Sequence, residues 1–176
     1  MLDKAKKVTD KVRSQNPLRK PNEVTAHEAE AAREYIRHYW KKLERFHPKD
    51  DESLIGLPKP FLVPSYEEGH EFDYDELYYW DSYFMVQGLY DPTHKQLVVG
   101  ILENLFSLYD RFKIIPNASR LYLTSRSQPP LLTSFIWEVY DAYGMDSKWL
   151  KRAISVAEAE YETVWMGKRK PNARQV

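Results

Sequence analysis

Two short stretches of the sequence carry the side-chain types that bind a sugar. The first contains Trp80 and Asp81, and the second contains Arg126 and Gln128. An indole stacks on a pyranose ring, a carboxylate and an amide take its hydroxyls, and a guanidinium donates a planar fork of N–H groups. Asn117, nine residues before Arg126, adds a second amide. The pattern predicts a surface for a neutral, polyhydroxylated ligand.

The sequence around these residues resembles the trehalase family. The string Tyr-Tyr-Trp-Asp-Ser-Tyr at 78–83 and the string Arg-Ser-Gln-Pro-Pro at 126–130, which Ile-Pro-Asn precedes at 115–117, are similar to segments that line the glucose pocket of trehalases. Members of this family are inverting glycosidases that cleave α,α-trehalose into two glucose molecules. The resemblance covers roughly residues 58 to 168, the N-terminal portion of the catalytic domain.

The resemblance implies that one wall of the minus-one subsite is present in this chain. The substrate-binding residues that it implies are Trp80, Asp81, Asn117, Arg126, Ser127 and Gln128. A plainer interpretation is a core Trp beside a capping Asp, followed by an ordinary helix N-terminus with a surface Arg. We favour binding, because the amides and the guanidinium bring many donors to one loop pair, and burying them without a polar ligand is costly.

The catalytic pair is expected outside the sequence. An inverting glycosidase needs a general acid and a general base about 6.5–9.5 Å apart. The resemblance places the acid, an Asp in a Ser-Gly-Trp-Asp-like segment, and the base, a later Glu, beyond Val176. We therefore expect the 176-residue chain alone to be catalytically inactive. Asp81 is expected to bind hydroxyls and not to transfer a proton.

One stretch departs from the family pattern. Trehalases carry a Pro-Gly-Gly-Arg-Phe string upstream of the Trp-Asp segment, and its Arg binds sugar. Here Pro64-Ser65-Tyr66 leads into the acidic stretch 67–73, which contains His70 and no Arg. His70 or another side chain could take that place, or the second sugar could differ from glucose. Two alternatives stay open: a related α/α-toroid enzyme for another α-glucoside, and a non-catalytic helical scaffold that binds a peptide.

Composition limits the partners. Lys plus Arg equals Asp plus Glu at 26 each, so no net charge favours nucleic acid or a membrane surface. No window approaches the roughly eighteen apolar residues of a membrane span. The chain has no Cys, and its five His residues show no metal-ligand spacing, so we expect neither metal nor cofactor. The charged N-terminus lacks an apolar signal-peptide core, which favours the cytoplasm.

The pattern of apolar residues predicts an all-α fold. We predict successive antiparallel helix pairs over residues 26–176, with residues 1–25 as a lead segment and a weak helix at 2–16. The resemblance implies that these pairs form part of an (α/α)6 toroid. Thr25 with Glu28 predicts a capping box, and Gly144 a C-cap. An incomplete ring leaves helix faces exposed, so self-association is expected. The other predicted helices cover 26–46, 76–89, a stretch from Asp91-Pro92 to 109, a stretch from Pro129 to 143, and a stretch from Asp146 or Ser147 to 165.

Overall fold

The structure is a computed structural model that describes residues 24–66 and 74–168. The chain forms two compact units, 1–39 and 40–176. The predicted all-α class is confirmed, with one two-stranded antiparallel ladder in addition. The predicted helix at 2–16 and the stretch 67–73 lie outside the described residues, and the boundary at residue 25 stays a prediction. The elements in chain order are α1 Ala26–Leu43, β1 Glu44–Arg45, β2 Phe61–Leu62, α2 Tyr79–Val86, α3 Lys95–Phe112, a 3₁₀ turn Leu121–Leu123, α4 Leu132–Tyr143, α5 Ser147–Glu160 and a π-helical turn Tyr161–Trp165.

The first unit contains the start of α1, which is capped as predicted. The Thr25 hydroxyl accepts the Glu28 N–H at 3.2 Å, and the Glu28 carboxylate accepts the Thr25 N–H at 3.0 Å. Each side chain satisfies an N–H group that has no partner within the helix. On the exposed surface of the same helix, Glu30 pairs with Arg33 and Arg37, and these hydrogen bonds lower the pKa of Glu30.

Helix α3 is the centre of the second unit. It contacts β2, α2, α4 and α5. Its apolar residues are buried on several sides, as the breadth of the predicted stripe indicates. Each fully buried Leu, Ile, Val or Phe side chain contributes about 1.5–3 kcal/mol relative to exposure, so this helix supplies much of the core energy. The buried apolar residues of α3 are Val98, Ile101, Leu102, Leu105, Phe106, Leu108 and Tyr109.

Two helices begin later than predicted. Asp91-Pro92 does not start α3: the Asp91 carboxylate accepts the N–H groups of Thr93 and His94 in a turn, and the helix starts at Lys95. These bonds, with those from the side chains of Thr93 and His94, lower the pKa of Asp91 to about 2. Pro129 does not start α4 either.

At Pro129 the chain makes a tight turn and not the first turn of a helix. The Pro129 carbonyl accepts the Leu131 N–H at 2.9 Å. Because a residue that precedes a proline is disfavoured in the α region, Pro129 cannot easily begin a helix before Pro130. Helix α4 therefore starts at Leu132.

Some of the other helix ends agree with the predictions, and others differ from them. Gly144 ends α4 with a left-handed φ of 58°, and Asp146 caps α5 by accepting the Trp149 N–H at 2.8 Å, both as predicted. Helix α1 ends at Leu43, short of residue 46, because the chain enters β1. Helix α2 covers only Tyr79–Val86, within the predicted 76–89, and α5 continues to Trp165 as the π-helical turn.

The irregular segment after β1 is held by polar contacts with α3. The Asp50 carboxylate accepts the Gly56 N–H at 2.7 Å and an N–H of Arg111 at 2.9 Å, while Arg111 also donates to the Gly56 carbonyl. A Cβ on Gly56 would lie 2.4 Å from the Lys49 carbonyl carbon, so only glycine fits. Deeper in the segment, the fully buried Asn104 amide pairs with both the N–H and the carbonyl of Lys59.

The second unit also contains a buried carboxyl. Glu160, the last residue of α5, is 2% exposed; its Oε2 accepts the Tyr79 hydroxyl at 3.2 Å, and its Oε1 has no hydrogen-bond partner among the described residues. Burial raises the pKa of Glu160 to about 7, although contacts with Tyr79 and Trp165 lower it in part. Burial and the neighbouring carboxyl also raise the pKa of Tyr79.

No helix in the described part of the chain is long and apolar enough to cross a membrane. Several large apolar side chains of the second unit are nevertheless exposed, among them Phe84 at 56% and Trp137 at 64%. These exposed rings fit the expected self-association, which stays a prediction.

The raised pKa of Glu160 predicts a pH-dependent stability. The folded state binds the proton more tightly than an unfolded chain with the ordinary value of 4.5, so stability falls as pH rises from about 4.5 to about 7. At about 1.4 kcal/mol per pKa unit, the ionised carboxyl costs about 3 kcal/mol of unfolding free energy above pH 7. Glu160→Gln should remove this part of the pH dependence, measured by urea unfolding at pH 5 and pH 8.

Glu158→Gln is the matched control, because Glu158 is an exposed residue of the same helix. It should keep the pH dependence of the original chain. Equal pH dependence in Glu160→Gln and the original chain would show that the carboxyl is not buried as described.

Candidate functional site

Backbone pairing joins the two motif segments. Tyr78 forms an isolated antiparallel bridge with Ala118. On either side of it, the Tyr79 N–H donates to the Asn117 carbonyl at 3.3 Å, and the Ser119 N–H donates to the Leu77 carbonyl at 2.9 Å. Leu77 and Tyr78 therefore stay outside α2, which starts at Tyr79 and not at residue 76 as predicted. Their pairing places Asn117 beside the start of the helix that carries Trp80 and Asp81.

A second backbone contact connects Asn117 with the rest of its motif. The Asn117 N–H donates to the Arg126 carbonyl at 2.9 Å, so the intervening residues form a closed loop that contains the 3₁₀ turn. The Asn117 side chain is half-buried, whereas Arg126 is exposed. The amide and the guanidinium predicted to bind sugar thus come from the two ends of one loop.

The Gln128 side chain links the second motif to the first. Its Oε1 accepts the Trp80 N–H at 2.9 Å, and its Nε2 donates to Asp81 Oδ2 at 3.3 Å. The Trp80 N–H is one of the first N–H groups of α2, which have no partner within the helix, so Gln128 caps this helix from another segment. The same amide holds the Asp81 carboxylate at the helix start.

The predicted residues lie on an open surface. The Trp80 indole is 40% exposed and packs edge-on against Phe84, with ring centroids 5.8 Å apart. Asp81 is half-buried. The Ser127 hydroxyl donates to the Gln128 carbonyl at 3.3 Å, so it is used locally. The structure brings all six predicted residues together at this junction; their role in binding stays a prediction.

Buried polar residues that the sequence did not single out support the junction. The Leu132 N–H donates to the Tyr79 hydroxyl at 3.0 Å, and the Leu77 N–H donates to the buried Ser119 hydroxyl at 2.9 Å. Arg120 forms an ion pair with the buried Glu76 at 3.1 Å. Glu76 stands two residues before Tyr78, and Arg120 three residues after Asn117, so their closeness to the motifs was the one available signal.

A carboxylate on α4 fixes the other end of α2. Glu138 accepts hydrogen bonds from the Tyr83 hydroxyl, the Gln87 amide and the Tyr90 hydroxyl at 2.7, 2.7 and 2.9 Å. Burial, followed by the contact with Glu138, raises the pKa of Tyr90. The sequence places these residues about 50 positions apart, and no local pattern predicts that they meet.

A separate cleft of about 910 Å³ lies beside α3 and β2. Lys59, Lys95, Gly100 and Glu103 contribute to its lining, and none of the six predicted residues does. Among residues 24–66 and 74–168, no group of three or more His, Asp or Glu side chains could hold a metal ion. Trp80 and Arg126, two of the six predicted residues, are exposed to solvent, and the other four are half-buried.

Known proteins resemble this chain in sequence. The sequence model of the trehalase family matches residues 2–176. The chain is 37% identical over 121 residues to a trehalase of Arabidopsis thaliana, covering 69% of this chain and 18% of that protein. It is 39% identical over 137 residues to a trehalase of Apis mellifera, with 74% and 20% covered. A periplasmic trehalase of Escherichia coli O1:K1 / APEC is 36% identical over 141 residues, with 79% and 23% covered.

The structure gives the same result. The neutral trehalase of Saccharomyces cerevisiae superposes with a TM-score of 0.54 at 29% identity, covering 88% of this chain and 28% of that one. This similarity confirms the predicted fold, part of an (α/α)6 toroid. The chain spans about a fifth of the length of the curated relatives named above. On the match over residues 2–176 and these similarities, the chain belongs to the trehalase family of glycosidases.

Proposed function

We propose that this chain provides one wall of the minus-one subsite of an inverting trehalase and binds a glucose unit of α,α-trehalose. The observation that carries the proposal is the junction of the two motif segments. Backbone pairing through Asn117, and the Gln128 amide that binds both Trp80 and Asp81, bring the residues of the two segments next to each other. Membership of the trehalase family supplies the substrate class.

The side chains divide into two roles in this proposal. Trp80 offers a partly exposed indole face for stacking, and Asp81, Asn117 and Arg126 offer groups for hydroxyls. Gln128 already uses both ends of its amide on Trp80 and Asp81. Its part is therefore to hold these two residues in place and not to make the main contact with sugar.

The proposed role of the chain is binding, and the catalytic acid and base lie outside the residues assigned here. Asp81 is the carboxylate at the junction, but its half-exposed setting lacks the enclosed apolar surroundings of a general acid. An inverting mechanism also needs a second carboxylate about 6.5–9.5 Å away on the opposite side of the sugar. The expected cytoplasmic location stays a prediction beside this proposal.

An α-glucoside other than trehalose is a second candidate substrate, because the sequence lacks one Arg that trehalases use to bind sugar. The stretch 64–73 has no Arg where trehalases carry one, so the second sugar of the substrate could differ from glucose. Maltose, an α-glucoside with a different linkage, is the matched comparison to trehalose in the experiment below.

Trehalose should shift the indole N–H resonance of Trp80 in a nitrogen–proton NMR spectrum of the chain, because the ring would stack on glucose. The chain has five Trp, and Trp80→Phe identifies the resonance. Trp137 is the internal control, since it is more exposed, at 64%. Arg126→Met should weaken binding about tenfold or more through the loss of charged hydrogen bonds, whereas Arg152→Met, which loses a pair with Glu103, should not.

Three outcomes of this titration are informative. A shift with maltose and none with trehalose would favour the other α-glucoside. Equal shifts of all five indoles with both sugars, or no shift at all, would contradict the proposed wall.

The purified chain should release no glucose from trehalose, because the binding wall alone supplies no acid and base pair. A coupled glucose assay at several pH values measures this directly. Glucose release that disappears in Asp81→Ala would contradict the assignment of Asp81 to binding, and release that persists in that variant would place a catalytic pair elsewhere in the chain.

A further inference from the structure

We propose that Glu160 is a positioning residue of the sugar site, which acts through the phenol of Tyr79 to keep the two motif segments in register. The inference rests on the proposed function, because it concerns the placement of Trp80, Asp81 and Gln128. Glu160 itself lies in the core and contacts none of the six proposed binding residues in the hydrogen bonds of the described chain.

A short chain of hydrogen bonds connects Glu160 to both segments. The Leu132 N–H donates to the Tyr79 oxygen at 3.0 Å, and the Tyr79 hydroxyl donates to Glu160 Oε2 at 3.2 Å. Tyr79 immediately precedes Trp80, and Leu132 stands four residues after Gln128. One phenol therefore ties the start of α2 to the start of α4, directly behind the residues that carry the sugar-type side chains.

The acceptor on Glu160 determines how the phenol can serve both partners. A phenol has one O–H, and its oxygen accepts a bond well only when that proton points elsewhere. Tyr79 is fully buried and out of contact with bulk water, and Glu160 is the acceptor of its hydroxyl. With the proton directed to Glu160, the oxygen lone pairs face the Leu132 N–H. Without that acceptor, the hydroxyl has no fixed orientation and the bond to Leu132 weakens.

The burial of this carboxyl is difficult to explain by stability alone. Its Oε1 has no hydrogen-bond partner among residues 24–66 and 74–168, and burying a carboxyl that is only partly hydrogen-bonded costs free energy. A buried group of this kind calls for another explanation, such as a constraint on geometry. The π-helical turn that starts directly after Glu160 is a feature often found at functional positions.

Two backbone N–H groups beside the Tyr79 ring, those of Tyr79 and Trp80, connect this hydrogen-bond chain to the sugar site. A shift of Tyr79 would move the Trp80 N–H away from Gln128 Oε1 and the Tyr79 N–H away from the Asn117 carbonyl. Both contacts belong to the junction that gathers the sugar-type side chains. Glu160 therefore sets the site through Tyr79 without touching the ligand.

The test uses Glu160→Leu, which removes the acceptor but fits an apolar core, and hydrogen exchange of single amides measured by NMR. We expect the Trp80 and Leu132 amides to exchange about three- to tenfold faster, the range given by the net value of one hydrogen bond. The Leu105 amide in the core of α3, the reference for global unfolding, should exchange no faster. Measured at pH 8, the melting temperature should stay equal or rise, because the loss of a buried charge offsets the loss of the Tyr79 hydrogen bond.

Four further variants separate positioning from a merely structural role. Tyr79→Phe removes the oxygen that the Leu132 N–H binds and should speed exchange at least as much as Glu160→Leu. The double variant should be no faster than Tyr79→Phe alone, since the two residues act as one unit. Glu160→Gln keeps an acceptor and should restore exchange to that of the original chain. Glu158→Leu is the matched surface control and should change nothing.

Trehalose affinity gives a second readout. It should fall about three- to tenfold in Glu160→Leu and recover in Glu160→Gln, on the same hydrogen-bond estimate. Absence of trehalose binding in the original chain would contradict the proposed function, while the exchange of Trp80 and Leu132 would still decide the role of Glu160. Exchange that is unchanged in Glu160→Leu, that rises in step with Leu105, or that adds up in the double variant would overturn the inference.

Discussion

The structure around the site depends on the hydrogen bonds of the Tyr79 phenol. The ring is fully buried, and the partners of its hydroxyl are Leu132 and Glu160. These partners stand 53 and 81 residues further along the chain. Helices α2, α4 and α5 are therefore fixed at one point. The packing of α3 against each of them makes the surroundings of that point rigid.

Side-chain amides take the place of paired backbone at two positions in this unit. The Asn104 amide binds both the N–H and the carbonyl of Lys59, and the Gln128 amide binds the Trp80 N–H and the Asp81 carboxylate. Lys59 lies in an irregular segment and the Trp80 N–H lies in the first turn of α2, so neither N–H has a partner within a strand or helix. An amide suits the task because it carries a donor and an acceptor at fixed geometry.

Features that depend on neighbouring residues, such as helices and their caps, could be predicted from the sequence. Hydrogen bonds between residues far apart in the chain could not. Apolar periodicity gave the helices, and capping chemistry gave the ends at Thr25 and Gly144, because both act within a few residues. The starts near Pro92 and Pro129 were wrong, since each proline lies in a turn before its helix. Contacts such as Tyr79 with Glu160 were not predictable, because no periodicity says which distant polar group will be the partner. The family resemblance indicated that the two motif segments lie near each other. It did not indicate that the Gln128 amide binds the Trp80 N–H and the Asp81 carboxylate.

The two-ended use of Gln128 has a consequence for which sequences can build this junction. Glutamate has nearly the same shape, but it would bring a second negative charge to within about 3.3 Å of Asp81 and lose the donor. Leucine would fill the space and leave the Trp80 N–H without its acceptor. Position 128 therefore needs a neutral side chain with one hydrogen-bond acceptor and one donor. A side chain of the same size or of the same polarity without both groups cannot make these two bonds. Chemical similarity scores, which rank glutamate as the nearest replacement for glutamine, would misjudge this residue.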